Sequence, residues 1–361
     1  MRALAAAVLA ALAASASADD RGLGRLFDGS AAPALPSFTS RVPPSPQASL
    51  APSSVPADLA AARARVGLDG QLARLASSPA SGRFTFGVIG DAEPGRFPWE
   101  RVFSPGPRVF ADQMAALDAS SPDFVLQLGD FVSQGTPANY RAHVAWLDGR
   151  SGAPLLRCLG NHDRSRPNGA ADKSLYDAVF GPRDYFFDRG GWRFIALDSS
   201  DRGLTAAQLS WLKTALAVPG RKVIFTHVPP SYIKHLKPLA EVGALETDAA
   251  EFQAAADKSG EIQDFFTNYF EDGSAEFERL VSEGNVAAVY MGHIHAFWAA
   301  DHRGTRYVIS GGGGSPLYPL PPGYPKKRFA HYLTVEASAS GLVETVHPLH
   351  GAPFVLPSVR P

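Results

Sequence analysis

Cysteine is almost absent from this 361-residue chain, which contains only Cys158. No intrachain disulfide can form and no Cys-rich zinc module is available, so a bound metal would have to rest on His, Asp, Glu or Asn. Excess charge is missing as well. With 34 Lys+Arg against 35 Asp+Glu, nothing is available to neutralise a long phosphate backbone, which excludes a nucleic-acid polymer as the expected partner and leaves a small anion open. Long apolar runs are also lacking. The run Ala3 to Ala14 is too short for a bilayer core of roughly 30 Å, so no transmembrane segment is expected.

That short run follows Arg2 and precedes Ala16-Ser17-Ala18, the pattern of a secretory signal over residues 1–18, and an exported protein, periplasmic or secreted, is expected. Residues 19–80 are rich in Pro, Ala and Ser and bury little apolar surface per ordered residue. They read as a largely disordered linker, with one short helix over Pro56 to Leu75. Residues 81–350 read as one domain, and 351–361 as a tail.

From Arg83 onward, short apolar runs end in polar or glycine-containing turns. Phe84 to Ile89 leads into Gly90-Asp91, and Asp123 to Leu128 into Gly129-Asp130. Leu155 to Leu159 leads into Gly160-Asn161-His162-Asp163, Lys222 to Thr226 into His227, and Val286 to Met291 into Gly292-His293-Ile294-His295. Such runs are buried strands, and ligands bind beyond the carboxyl ends of strands in open α/β sheets. Trp192 to Leu197, Thr305 to Ile309 and His331 to Val335 read as further strands. Thr205 to Leu216 reads as a helix opened by a Thr-x-x-Gln capping box. The expected class is α/β, with a β-sandwich core flanked by helices. Residues 231–275 interrupt this rhythm, either as a surface helical excursion or as a lid beside His227.

Strand ends carrying Asp, Asp, Asn-His-Asp, His and His-x-His would gather imidazole, carboxamide and carboxylate groups at one sheet edge, the donor set of first-row divalent metals and iron. In this order, the motifs resemble those of the calcineurin-like metallophosphoesterases, a superfamily that includes the purple acid phosphatases; Leu197-Asp198-Ser199-Ser200, His227-Val228-Pro229-Pro230 and Ser310 to Ser315 add to the likeness. The resemblance covers residues 83 to 350 and implies a four-layer α-β-β-α sandwich around two metal ions, drawn from Mn, Fe, Zn or Mg. Carried over by position, Asp130 bridges the ions, Asp91 and His295 serve the first, and Asn161, His227 and His293 serve the second. It implies in-line attack of a metal-bridging hydroxide on a small phosphomonoester or phosphodiester. His162 would be general acid, Asp163 would orient its imidazole, and Arg164 would contact phosphate or form an ion pair.

One departure stands out. The family commonly begins Asp-x-His, whereas this chain reads Asp91-Ala92-Glu93, and Ser133 occupies the place of the Tyr found three residues after the bridging Asp in purple acid phosphatases. Either Glu93 ligates the first metal, favouring harder ions such as Mn²⁺, Mg²⁺ or Fe³⁺ over Zn²⁺, or it faces solvent and that site is weak. The second alternative would make the chain a catalytically impaired phosphate- or nucleotide-binding protein. Cys158 reads as a buried small hydrophobe, and Gly311 to Gly314 as a tight turn that allows close backbone packing.

Overall fold

The computed structural model describes residues 55–78, 82–92, 106–150, 152–239, 269–317 and 329–359. The leader, residues 19–54, Glu93 and the middle of the 231–275 segment lie outside them. Each apolar run named from Phe84 onward becomes a strand. β1 (Phe84–Ile89), β2 (Phe124–Gln127) and β3 (Leu155–Arg157) are parallel neighbours. β4 (Tyr185–Arg189), β5 (Trp192–Leu197), β6 (Arg221–Thr226), β7 (Val286–Met291), β8 (Phe297–His302) and β9 (Thr305–Ser310) form a second sheet, in the order β4-β5-β6-β7-β9-β8. Within it β5, β6, β7 and β9 run parallel, and the edges β4 and β8 run antiparallel to their neighbours. The chain then returns to the first sheet. β10 (His331–Ser338) pairs antiparallel with β1, and β11 (Gly341–Pro348) and β12 (Phe354–Val355) follow, giving the order β12-β11-β10-β1-β2-β3.

The two sheets pack face to face through one apolar core to which both contribute, including Phe86, Phe124, Leu126, Phe194, Phe225, Tyr290 and Val335. Phe86 stacks on Phe124 with centroids 5.4 Å apart, and Phe194 meets both rings edge-on, geometry that adds attraction beyond the area buried. Helices close the outer faces. α3 (Gly106–Ala119), α4 (Pro137–Asp148) and α5 (Ser174–Val179) accompany the first sheet, and α6 (Ala206–Leu216) and α7 (Ser274–Glu283) the second. The result is the expected four-layer sandwich. α6 opens with the capping box read from the sequence: Thr205 accepts from the Gln208 backbone N–H, and the Gln208 side chain accepts from the Thr205 N–H.

Two boundaries move. Inside the stretch read as linker, α1 (Ala57–Val66) and α2 (Leu68–Ala76) form a pair broken at Gly67. Leu59, Ala62 and Val66 pack with Tyr140, Tyr176 and Phe180, while Leu75 reaches the inter-sheet core, so tertiary packing stabilises helices whose own polar, alanine-rich sequence signals little. At the other end, β12 pairs with β11 and Leu356 is buried, so residues 354–356 belong to the fold and not to a tail. The flanks of the 231–275 segment pack against the second sheet, through the Leu239 N–H to the Ala299 carbonyl and through Phe270.

Candidate metal centre

Every candidate ligand on the described residues sits just past a strand. Asp91, Asp130 and Asn161 follow β1, β2 and β3; His227 follows β6; His293 and His295 follow β7. Asp91, Asp130 and His293 adopt φ of 60°, 51° and 69°, left-handed backbone that costs of order 1–3 kcal/mol in a non-glycine residue and clusters at functional sites. Glycines make room beside them. A Cβ on Gly160 would collide with Asp130 Oδ1, and one on Gly292 would stand 2.6 Å from Asp91 Oδ2. The run Gly311 to Gly314 packs as read from the sequence: the Gly313 N–H donates to the Gly90 carbonyl, and the Ser315 N–H to that of Asp91.

Carbonyl oxygens orient the imidazoles. His227 Nδ1 lies 2.7 Å from the Leu128 carbonyl and His295 Nδ1 2.9 Å from that of Pro316, which leaves Nε2 of each ring to face the carboxylates. His227 Nε2 stands 3.2 Å from Asp130 Oδ2 and 3.0 Å from Asn161 Oδ1, and His295 Nε2 stands 3.6 Å from Asp91 Oδ1. His293 turns Nδ1 inward, 3.3 Å from His227 Nε2. Burial alone would raise the Asp130 carboxyl, but the neighbouring imidazoles, His227 foremost, hold it well below the usual carboxylate range. For His227 burial acts downward, yet the Asp130 charge and hydrogen bond carry it up to about 9. His293, buried beside that cation, is pushed well below the usual imidazole range.

Two groups of side chains are therefore spaced as metal ligands. Asp130, His227 and His293 bring ligand atoms within 4.8 Å of one another, and so do Asp91, Asp130 and His295. The groups share Asp130, the residue expected to bridge, and Asn161 Oδ1 adjoins the first of them. Donor chemistry, spacing and the room left by glycine all fit a pair of divalent or trivalent cations.

Three sequence expectations need correction or fall outside the description. Asp163 does not orient His162. Its buried carboxylate accepts backbone N–H groups of Asp130, Phe131, Val132 and Gly160, at 2.8–3.2 Å, tying the ends of β2 and β3 together. Burial, with the Asp130 charge next, raises that carboxyl to about 7. The Ser133 carbonyl instead meets His162 Nδ1 at 3.0 Å, on a ring that remains partly exposed. Arg164 is no phosphate contact: its side chain is 2% exposed, pairs with Asp201, and donates to the carbonyls of Asn161 and Pro167. Arg164→Met should thus lower stability by about 1–3 kcal/mol, since the carbonyls of Asn161 and Pro167 lose their donor while Asp201 keeps Lys173, with KM unchanged; a raised KM at unchanged stability in a denaturant titration would restore the phosphate contact. Glu93 lies outside the described residues. Cys158 is buried in the core, where desolvation pushes its thiol up, away from nucleophilic use.

Sequence comparison decides the lineage. The profile of the calcineurin-like phosphoesterases matches residues 84–297, more than half of the chain. The chain belongs to that family. A Rhodococcus erythropolis protein named "Probable cyclic nucleotide phosphodiesterase" is 33% identical over 139 residues, 34% of this chain and 44% of that protein. The "cAMP/cGMP dual specificity phosphodiesterase" of Mycobacterium tuberculosis is 32% identical over 121 residues, 30% of this chain and 37% of its own. The matches thus span less than half the length of either relative. A purple acid phosphatase from yellow lupin (Lupinus luteus) seeds superposes with a TM-score of 0.56, covering 78% of this chain and 56% of its own at 17% identity, a likeness of fold. This calcineurin-like phosphoesterase fold carries its candidate ligands at the five strand ends where the motifs placed them.

Proposed function

We propose that this chain is an exported phosphoesterase that uses two metal ions to hydrolyse a small phosphodiester or phosphomonoester. The observation that carries the reading is the pair of ligand groups joined at Asp130, with His162 on the adjoining loop. The names of the curated relatives favour a cyclic nucleotide among the substrates. The leader pattern supports export.

Asp91, Asp130 and His295 would hold one cation, and Asp130, Asn161, His227 and His293 the other. Cations bound there would polarise the phosphoryl oxygens and acidify a water. The protein's own groups do the rest. The Leu128 and Pro316 carbonyls fix which nitrogens of His227 and His295 face inward. Asp130 Oδ1 accepts the His162 backbone N–H at 2.8 Å and so sets His162 beside the carboxylate common to both groups. The Ser133 carbonyl accepts Nδ1–H of His162 and so holds the ring that would pass a proton to the departing alkoxide.

The test is reconstitution with Mn²⁺, Fe³⁺, Zn²⁺ or Mg²⁺ followed by a panel of phosphomonoesters and phosphodiesters that includes 3′,5′-cyclic AMP. Turnover that requires metal, with two equivalents bound by elemental analysis, is expected. No turnover with one equivalent or none would leave the phosphate-binding reading in its place.

A further inference from the structure

Asn161 is the one amide among the described candidate ligands, and the two ends of an amide are alike in shape but opposite in chemistry. Oδ1 has lone pairs to offer a cation, whereas Nδ2 carries only hydrogens and would repel one. Here Oδ1 stands 3.0 Å from His227 Nε2, beside the group of Asp130, His227 and His293, and Nδ2 donates to the Pro167 carbonyl at 3.3 Å. A carbonyl oxygen accepts and never donates, so Pro167 decides which end of the amide turns inward.

The Pro167 carbonyl has to be held in its turn. Residues 161–170 form neither helix nor strand, and Asn168, Gly169 and Ala170 are exposed, so no regular ladder fixes this loop. The buried Arg164 side chain gathers it instead. Its Nε donates to the Asn161 carbonyl at 3.1 Å, Nη2 to the Pro167 carbonyl at 2.6 Å and Nη1 to the Gly169 carbonyl at 3.4 Å. Nη1 also pairs with Asp201, which lies past β5 of the other sheet and accepts Lys173 Nζ as well. The loop after β3 is thereby clamped to the loop after β5. A planar fork with donors on three sides can bind such a fan of acceptors, and a compact ammonium cannot.

We propose that Arg164, anchored by Asp201, is a positioning residue that fixes the Asn161 amide with its oxygen toward the metal centre and so sets the affinity for one of the two cations. The proposal rests on the two-metal reading above. Replacing a partner that orients a ligand typically costs about 10–100-fold in metal affinity.

The test is a cycle of four full-length, chelator-treated proteins: wild type, Arg164→Lys, Asn161→Asp and the double variant, each titrated with Mn²⁺ by equilibrium dialysis. Wild type should bind two equivalents, and Arg164→Lys should weaken one of them about tenfold or more while leaving the other. Aspartate offers an oxygen at either end, so orientation no longer matters. In the Asn161→Asp background the same Arg164→Lys change should therefore shift affinity by less than about twofold. A residue that merely stabilised the fold would cost the same in both backgrounds, and that result would overturn the proposal, as would unchanged Mn²⁺ affinity in Arg164→Lys. Arg183→Met is the control, because Arg183 pairs with Asp177 and with Asp198, which Lys173 also holds. It should lower stability in urea and keep both affinities; weakening equal to that of Arg164→Lys would count against the role of Arg164. Should Arg164→Lys fail to fold, Asp201→Asn keeps the shape and carries the same comparison, with the same equivalent weakened and no change again sinking the idea. Fewer than two equivalents in wild type would overturn the two-metal reading and this one with it. Two equivalents with no difference among the variants would remove only the role of Arg164.

Discussion

Asp130→Asn should yield a folded protein that binds metal at least about 100-fold more weakly and hydrolyses phosphate esters at less than about a thousandth of the wild-type rate. Asparagine keeps the shape and one oxygen to accept the His162 N–H, so the loop retains its hydrogen bond. What disappears is the charge common to both ligand groups. Equilibrium dialysis with Mn²⁺ and kcat/KM on a chromogenic ester measure the two losses, and retention of both metal and rate would sink the assignment. The same variant carries a pH signature in chelator-treated protein. Because the folded state raises His227 from 6.5 to about 9, the His227–Asp130 pair stabilises fully below pH 6.5, and that contribution fades as pH rises through about 9. Urea titrations across this window should show the decline in wild type and not in Asp130→Asn.

Replacing His162 by Asn should split substrates by their leaving group. An alkyl phosphate departs as a strongly basic alkoxide and should slow by about 10²–10⁴, the range of general acid catalysis, whereas a nitrophenyl ester leaves with little need of a proton and should slow far less. Fold and metal content should be unchanged, since the ring touches the Ser133 carbonyl and lies outside both ligand groups. Equal losses for the two esters would take the acid role from His162. A neutral carbonyl, and not a carboxylate, faces Nδ1, so Asp163→Asn acts elsewhere: it weakens the junction of the β2 and β3 ends.

The strands and the place of their candidate ligands were legible because parallel strands buried on both faces are written as unbroken apolar runs, and ligands bind beyond the carboxyl ends of such strands. β1 and β7 fall at the residues read for them, and α6 begins at its capping box. Less legible was anything set by tertiary contact alone. Ala57 to Ala76 carries weak helical patterning, and its burial against Tyr140 and Tyr176 has no local signature. Asp163 sits next to a histidine in sequence, which invites a side-chain pairing. In space its carboxylate turns to four backbone N–H groups, and backbone donors leave no trace in residue identity. Arg164 likewise reads as either a phosphate contact or an ion pair until Asp201, 37 residues later, is folded against it.

The return of β10 to the side of β1 has a consequence for how the protein is made. All six described candidate ligands have been synthesised by residue 295, yet Phe84 to Val88 cannot find their antiparallel partner until Leu333 to Ala337 have emerged, some 250 residues later. Until then β1 presents a bare apolar edge, the kind of surface on which unfinished chains adhere to one another. A chain cut short before residue 331 would keep every one of those six residues and lose the strand that closes the sheet, so its failure would be one of solubility before it was one of chemistry.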